Sequence, residues 1–323
     1  MKKECFFCEH HCLIEEGARG FCGVRENKSG NIETLNYGYL TSVAIDPIEK
    51  KPFYHVNPGS KTLSIAMFGC NFTCKFCQNF TISQKEFLNS AESKYFAPEE
   101  ISELMIKNHL KSVSYTYSEP TVWQDFMLEC AKHVKKAGGK NYMITNGYFS
   151  EKALLNILPL IDGFNIDLKG SDDFYKKYTG GRFAPVLRNI QRICNESNKI
   201  IEVTTLVIET IHSFEEILEI GKNLSKAGVK VWHLSRFYPC WKMKNIPQTT
   251  EKYMDNLITE IKSKTNIPFI YSGNCSKKDY QQTHCIKCGN KIISRNGYFS
   301  DSDILKNGYC PYCNTQLYGL FSE

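Results

Sequence analysis

The sequence LSIAMFGCNFTCKFCQN, residues 63–79, joins a short apolar run to a loop with three cysteines. Residues 63–68 have the length and apolar content of a buried strand. Cys70, Cys74 and Cys77 follow this strand directly and bring three sulfurs to one end of it. The stretch therefore predicts a buried sheet with a metal site at its edge.

The chain after this loop continues the alternation of strand and helix. Further strands are predicted at residues 112–117, 141–145, 163–168, 200–207 and 231–237, and amphipathic helices at 99–110, 122–138, 184–197 and 213–228. Parallel neighbours need crossovers of this length, so the pattern implies an α/β fold with a parallel sheet, either open and doubly wound or an incomplete barrel. In both cases the active site is expected at the C-terminal ends of the strands.

Three parts of the chain are distinguished by composition. Residues 1–60 form a Cys-rich metal-binding segment and an entrance loop, residues 61–275 the core, and residues 276–323 a module resembling a zinc ribbon. With 323 residues, 42% of them hydrophobic, the chain can bury one sizeable core with small modules attached. It has no long apolar run and no secretory signal, so a soluble cytoplasmic protein without a membrane partner is expected.

Eleven of the fifteen cysteines fall into three tight groups, which in a reducing cytosol favours metal ligation over disulfides. The groups are Cys5, Cys8, Cys12 and Cys22; Cys70, Cys74 and Cys77; and Cys285, Cys288, Cys310 and Cys313. The formal charge of +6 counts every thiol as neutral. Metal-bound thiolates in all three groups would lower it to roughly +1, so the charge gives little support to nucleic-acid binding.

The central group has three thiolates, one fewer than a [4Fe-4S] cluster with a full set of protein ligands. Such a cluster would keep one iron open for another ligand. The alternative is a zinc site with a fourth ligand from elsewhere in the chain. The position after a first strand, and the polar residues that follow later strands, favour the cluster.

The C-x-x-x-C-x-x-C loop, with Phe76 before its last cysteine, resembles the radical S-adenosylmethionine (SAM) superfamily, whose fold is a partial (β/α)6 barrel. The resemblance implies that SAM binds the open iron and is cleaved reductively to a 5'-deoxyadenosyl radical, which abstracts hydrogen from a substrate. It implies cofactor contacts for four residues after the second, third and fourth strands: Glu119, Asn146, Asp167 and Lys169. Tyr117 and Ser118 stand where the superfamily usually has two glycines.

Each of these four residues also has an ordinary structural interpretation. Glu119 before Pro120 suits a helix start, Asn146 with Gly147 suits a turn, and Asp167 with Lys169 suits a solvated pair. Their common position at one edge of the predicted sheet favours the site.

A narrower resemblance covers nearly the whole chain. Its carriers are CFFCEHHCLIEEGARGFCGVREN (5–27), YGYLTSVAIDPIEKKPFYHVNPGS (37–60), YTYSEPTVW (115–123) and HLSRFYP (233–239). They are similar to the radical SAM enzyme of the AmmeMemoRadiSam system, a family related to pyruvate formate-lyase activating enzymes. This resemblance implies Memo-like and AMMECR1-like partner proteins and an electron donor of the flavodoxin or ferredoxin type.

Both flanking cysteine groups have four thiolates, enough to close a tetrahedral site. For Cys5, Cys8, Cys12 and Cys22 a structural Zn²⁺ is favoured over an auxiliary iron-sulfur cluster, and His10 or His11 could replace one cysteine. Cys285, Cys288, Cys310 and Cys313 have zinc-ribbon spacing and are expected to hold the chain end together.

Several other polar residues have two interpretations. The loop DPIEKKPFYHVNPGS, 46–60, is either a solvated loop or the substrate entrance; it contains Asp46, Glu49, Lys50, Lys51 and His55. His233 either faces the cofactor or is a hydrogen-bonded core histidine. Cys240 is either a hydrogen-atom donor or a small buried hydrophobe.

Three functional hypotheses follow from these features. The first is a radical SAM enzyme with an unidentified substrate, and the second is an activase that abstracts hydrogen from a glycine of a glycyl-radical enzyme. The third is a non-enzymatic module that binds several zinc ions. No motif identifies the substrate, because a substrate pocket is spread over side chains without a signature.

Overall fold

The computed structural model describes residues 1–277, 279–302, 305 and 307–321. Parts of the predicted C-terminal module, residues 278, 303, 304, 306, 322 and 323, lie outside the described residues. The strands are β1 (Lys3–Glu4), β2 (Leu13–Ile14), β3 (Arg25–Lys28), β4 (Asn31–Thr34), β5 (Tyr39–Pro47), β6 (Lys61–Met67), β7 (Lys94–Tyr95), β8 (Ser112–Tyr115), β9 (Lys140–Thr145), β10 (Gly163–Asp167), β11 (Ile200–Val207), β12 (Val231–Arg236), β13 (Phe269–Gly273), β14 (Thr283–His284), β15 (Lys291–Asn296) and β16 (Phe299–Asp301).

Helices connect most of the parallel strands. The helices are α1 (Phe80–Ser83), α2 (Pro98–Lys107), α3 (Gln124–Lys136), α4 (Glu151–Ile157), α5 (Asp172–Phe174), α6 (Phe183–Glu196), α7 (Phe214–Lys226) and α8 (Glu251–Lys264). Local sequence explains their ends: Ser213 caps α7 by accepting a hydrogen bond from Glu216 N (3.1 Å), and Gly228 follows its end with φ +85°. None of the helices in the described part of the chain is long and apolar enough to cross a membrane.

The main sheet has the strand order β13-β12-β11-β10-β9-β8-β6-β5-β7. The strands from β6 to β13 pair in parallel, apart from the short β7, while β5 runs antiparallel to both β6 and β7. The predicted α/β fold with a parallel sheet is therefore confirmed. The parallel strands are buried on both faces. Because they run in the same direction, their carboxyl ends lie at one edge of the sheet.

Three strands of this sheet are absent from the sequence prediction: β13, β5 and the two-residue β7. β13 adds a parallel strand after β12, and β5 covers the other side of β6 with Val43 and Ile45 exposed. β5 precedes residue 60, so the main sheet includes part of the predicted N-terminal segment. The division of the chain at residues 60 and 275 stays a prediction.

The small elements at both ends of the chain dock onto the main body. Near the N-terminus, the buried Arg25 guanidinium donates to both carboxylate oxygens of Asp125 (2.9 and 3.1 Å), which ties β3 to α3. Near the C-terminus, Leu320 N donates to His55 O (2.8 Å). Both ends therefore contact the body that carries the cavity.

Candidate active site

A cavity of about 600 Å³ opens at the C-terminal ends of the parallel strands. Its wall contains the central cysteines and five further residues that the sequence singles out: Cys70, Cys74, Cys77, Glu119, Asn146, Asp167, Lys169 and His233. These residues follow or lie in five different strands. The structure therefore brings the predicted cofactor residues together, while their binding roles stay predictions.

The loop with the three cysteines is shaped by contacts from elsewhere in the chain. Thr73 N donates a hydrogen bond to Thr179 O (2.8 Å), which fixes the loop against the segment after α5. Gly181 leaves room for it, because a Cβ at this position would lie 2.3 Å from the ring of Phe72. The loop thus depends on a glycine more than a hundred residues later in the chain.

The three sulfurs lie in a buried setting that suits metal ligation. Phe72 N donates to Cys70 Sγ (3.3 Å), and Ser83 Oγ lies 3.2 Å from Cys77 Sγ. Burial raises the pKa of Cys74 to about 12, and it also raises the pKa values of Cys70 and Cys77. Buried thiols of this kind ionise when a metal compensates the charge, so the residues fit an iron-sulfur cluster.

The spacing of these sulfurs separates a cluster from a single zinc ion. Within the described ranges, one group of possible metal ligands has all its ligand atoms within 4.8 Å of one another, and it is the C-terminal cysteine group. The sulfurs of Cys70, Cys74 and Cys77 do not form such a compact group. A Zn–S bond of about 2.3 Å places neighbouring sulfurs about 3.8 Å apart. A cluster binds each sulfur to a different iron and spaces them further apart. The wider spacing favours the cluster over the zinc alternative.

Glu119 is fully enclosed by hydrogen-bond donors. Its Oε1 accepts from Thr121 N (3.0 Å), Thr121 Oγ1 (2.6 Å) and Thr145 Oγ1 (2.6 Å), and its Oε2 accepts from Asn146 N (2.8 Å). Burial raises the pKa of this carboxyl group, and the donors oppose that rise. Glu119 therefore fixes the turn after β9 and also presents a carboxylate in the cavity wall.

Tyr117 has a left-handed backbone conformation, which glycine adopts without strain. Its φ of +66° lies in the left-handed region that side chains rarely enter. Its hydroxyl donates to Asp46, Lys51 Nζ lies 4.0 Å from its ring centroid, and its carbonyl accepts from Asn79 Nδ2 (2.9 Å). These contacts hold the strained backbone in place.

Asp167 and Lys169 form an ion pair in the cavity wall, with Lys169 Nζ 2.7 Å from Asp167 Oδ2. Burial opposes the charge of Lys169, but Asp167 and the Cys74 sulfur raise its pKa, so the side chain stays a cation. Nearby, Asn146 Nδ2 donates to Asn71 Oδ1 (2.7 Å). The wall thus offers a carboxylate, a cation and an amide beside the cysteines.

His233 and Cys240 have different surroundings. His233 lines the cavity, and its Nε2 donates to the buried Glu202 at 2.6 Å; Glu202 also accepts from Tyr54 N (3.0 Å). The two interpretations of His233 are therefore compatible, since it is both hydrogen-bonded and in the wall. Cys240 is not among the wall residues, and its Sγ donates to Cys77 O (3.4 Å). The contacts of Cys240 do not support a role as a hydrogen-atom donor.

The entrance loop contributes Glu49, Lys50 and Lys51 to the wall, and Cys275 and Tyr298 are among the wall residues that the sequence did not single out. Cys275 follows β13, and Tyr298 lies between β15 and β16. The run FIYSG after an amphipathic stretch is the signal for β13, and with it for Cys275.

The flanking cysteine groups lie outside this cavity wall. In the C-terminal group, the Sγ atoms of Cys285 and Cys313 are 3.5 Å apart and those of Cys288 and Cys310 are 3.7 Å apart. These distances match the tetrahedron of a single zinc ion, for which about 3.8 Å is expected.

Comparisons with known proteins agree with this geometry. The model of the Radical SAM superfamily matches residues 64–249. An uncharacterized protein of Methanocaldococcus jannaschii is 37% identical over 332 residues, covering 98% of this chain and 95% of that protein. A second protein of that organism, provisionally named a glycyl-radical enzyme activating enzyme, is 28% identical over 178 residues, covering 53% of this chain and 65% of that protein.

Among solved structures, Streptococcus suis SuiB bound to S-adenosylmethionine matches with a TM-score of 0.51 at 15% identity. The match covers 71% of this chain and 53% of SuiB, so the chain spans about half the length of that protein. At this identity the likeness shows a shared fold. The superfamily match covers more than half of the 323 residues, and members of this superfamily are enzymes that use a [4Fe-4S] cluster and SAM. The chain therefore belongs to the radical SAM superfamily.

Proposed function

We propose that Cys70, Cys74 and Cys77 hold the [4Fe-4S] cluster and that the enzyme cleaves SAM to abstract hydrogen from a substrate in the cavity. The observation that carries this proposal is the shared cavity wall. Three cysteines with an open spacing stand beside Glu119, Asn146, Asp167 and Lys169 in one space of about 600 Å³. A cavity of this size accommodates a cofactor together with a small substrate.

The charges of the wall suit the methionine end of SAM, which has an ammonium and a carboxylate. Glu119 is the acceptor proposed for the ammonium, and Lys169 with Asn146 are the donors proposed for the carboxylate. Asp167 holds Lys169 in place through their 2.7 Å ion pair. When bound, the cluster and SAM supply a 5'-deoxyadenosyl radical, and the protein orients the reactants and excludes water.

The entrance loop is proposed as the substrate side of the cavity. Lys50 and Lys51 share Asp46, with Nζ to carboxylate distances of 2.8 and 2.7 Å. Glu49 of the same loop also lies in the wall, so the loop has two ammonium groups and two carboxylates here. The exposed Lys50 is the cation that this loop offers to an anionic group of the substrate.

Anaerobic reconstitution followed by an assay for 5'-deoxyadenosine tests the proposal. The reduced wild type is expected to form 5'-deoxyadenosine from SAM, and Cys74→Ala is expected to form none. Cys194→Ala is the matched control, because Cys194 lies on α6 outside the cavity wall. Formation of 5'-deoxyadenosine by Cys74→Ala at the wild-type rate would contradict the proposal.

A glycyl-radical activase is a second candidate, favoured by the relative of that provisional name. Tyr117 and Ser118 stand where the superfamily usually has two glycines, and the positive φ of Tyr117 is a conformation that glycine favours. The test mixes reduced enzyme and SAM with candidate glycyl-radical enzymes and monitors a protein radical by electron paramagnetic resonance (EPR). A multi-zinc module without activity is set aside, because the superfamily consists of enzymes.

Finer features of the proposal rest on other observations. A Zn²⁺ in the C-terminal group is supported by the short sulfur distances, and a cytoplasmic location by fifteen cysteines that are all free. A reduced flavodoxin or ferredoxin is the proposed electron donor. Assignment to the AmmeMemoRadiSam system, with Memo-like and AMMECR1-like partners, rests on the sequence resemblance and is tested by co-purification.

A further inference from the structure

The four N-terminal cysteines surround a common space. Cys5 N donates to Cys12 O (2.9 Å), which continues the antiparallel β1–β2 pairing and puts these residues opposite each other. Phe21 N donates to Cys12 Sγ (3.4 Å), which brings the chain before Cys22 to the same place. The side chains of Cys5, Cys8 and Cys22 are buried. The group is therefore a built site and not a set of surface thiols.

The spacing of these sulfurs differs from that of the C-terminal group. In the part of the chain that the structure describes, the sulfurs within 4.8 Å of one another are those of Cys285, Cys288, Cys310 and Cys313. No three sulfurs of the N-terminal group meet that distance. A tetrahedral zinc site needs sulfurs about 3.8 Å apart. Neither the N-terminal group nor the Cys70 loop has this compact spacing, although the sequence favours zinc at the N-terminal group.

The two neighbouring histidines are committed to other partners. The Nε2 of His10 lies 2.8 Å from Asn71 O, so this nitrogen donates, and the ring stacks on Phe21 with centroids 4.3 Å apart. The Nδ1 of His11 lies 3.1 Å from Glu4 Oε1. The four cysteines by themselves supply the four ligands that a closed site needs.

A buried amide connects this group to the cysteine loop of the cavity. Asn71 is fully buried, its Nδ2 has no nitrogen or oxygen partner, and it lies against the Cys8 sulfur. An unpartnered buried donor beside a sulfur is satisfied when that sulfur is a metal-bound thiolate. Asn71 also follows Cys70 directly in the sequence. One residue therefore contacts both cysteine groups.

We propose that Cys5, Cys8, Cys12 and Cys22 hold a second iron-sulfur cluster, a [4Fe-4S] centre beside the first, and not a structural zinc ion. Four thiolates close this centre, so it does not bind SAM. Its position next to Asn71 suits electron delivery. One electron from a reduced flavodoxin or ferredoxin would take the second cluster from 2+ to 1+ and then pass to the first, which returns the second to 2+. This electron-delivery role rests on the proposed function, but the metal site does not.

Metal analysis of the anaerobically reconstituted full chain tests the site. The wild type is expected to contain about eight irons per chain, as two [4Fe-4S] clusters require, and one zinc. Cys5→Ala/Cys22→Ala is expected to keep the zinc and lose about half of the iron. A wild type with about four irons and two zinc ions would overturn the proposal. This wild-type count decides the question even if the double variant does not fold.

A spectroscopic test separates this proposal from the proposed function. Cys74→Ala, reconstituted and reduced, is expected to keep an EPR signal from about four irons that does not change when SAM is added. Loss of all iron from Cys74→Ala, with zinc retained at the N-terminal group, would overturn the second cluster. If Cys74→Ala instead retained an EPR signal that changes on adding SAM, the assignment of the first cluster to the Cys70 loop would fail. The iron count of the wild type would still test the second cluster. Cys194→Ala is the control for both measurements.

Discussion

Replacing Glu119 by glutamine is expected to destabilise the protein, and the four hydrogen bonds of this carboxylate give the magnitude. The glutamine oxygen can take the Oε1 position and keep three donors, from Thr121 N, Thr121 Oγ1 and Thr145 Oγ1. Its NH₂ group then faces Asn146 N, which now donates to the carboxylate at 2.8 Å. Two donors face each other in a buried place, and one charge-assisted hydrogen bond is lost.

A lost hydrogen bond of this kind together with an unsatisfied buried donor costs about 2–3 kcal/mol. Burial raises the pKa of Glu119, so removing its charge offsets part of this cost. We expect a net loss of about 2 kcal/mol in the free energy of unfolding. SAM binding is expected to weaken about tenfold or more, because the proposed ammonium acceptor loses its charge.

The assay is anaerobic urea unfolding, followed by tryptophan fluorescence, of the wild type and Glu119→Gln. Glu103→Gln is the matched control, because Glu103 lies on the exposed face of α2. The control is expected to match the wild type within about 0.5 kcal/mol. Equal unfolding free energies for wild type and Glu119→Gln would refute the account of this carboxylate.

Three other predictions concern different parts of the molecule. Gly181→Ala would place a Cβ 2.3 Å from the ring of Phe72. The iron content of the protein should therefore fall, and urea unfolding should show a loss of about 1–3 kcal/mol in the free energy of unfolding. An unchanged iron content would contradict this steric account. Burial lowers the pKa of His55 from 6.5 to about 4. Between these two values the unfolded state binds more protons than the folded state. Lowering the pH from 7 to 5.5 should therefore reduce the free energy of unfolding by about 1.2 kcal/mol through His55. In urea unfolding, an equally steep pH dependence of His55→Gln would contradict it. Cys288→Ser should lose one zinc and keep its iron, by elemental analysis, since Cys288 lies in the compact C-terminal group; loss of iron would contradict the separation of the sites.

The sequence was sufficient to predict the parallel sheet and the edge at which the site lies. The predicted parallel strands have apolar runs, and polar residues such as Glu119 and Asp167 lie at or shortly after the ends of these runs. Because parallel strands share their carboxyl edge, residues distant in sequence were expected to lie close together. The cavity wall contains them all.

Other features depend on tertiary contacts that have no local signal. β5 lies near the sheet edge with one face exposed, so its apolar pattern is weak. Cys240 follows β12 as expected, but the chain turns at Trp241 with φ +44°, and the sulfur contacts Cys77 O instead of entering the cavity wall. The partnership of Glu202 with His233 joins two strands and was likewise invisible in the sequence.

The choice between zinc and iron at the N-terminal cysteines illustrates the same limit. Spacing along the chain permits both metals for Cys5, Cys8, Cys12 and Cys22. The separation of the sulfurs differs between the two possibilities, and it is a property of the fold.

The central claim is that the cluster held by Cys70, Cys74 and Cys77 keeps one iron open for SAM. Electron-nuclear double resonance on the reduced wild type, with SAM labelled with ¹⁵N in its amino group and ¹⁷O in its carboxylate, tests this claim most directly. We predict hyperfine coupling of both labels to the cluster, and no coupling in Cys74→Ala. A reduced cluster in the wild type that couples to neither label would contradict the account.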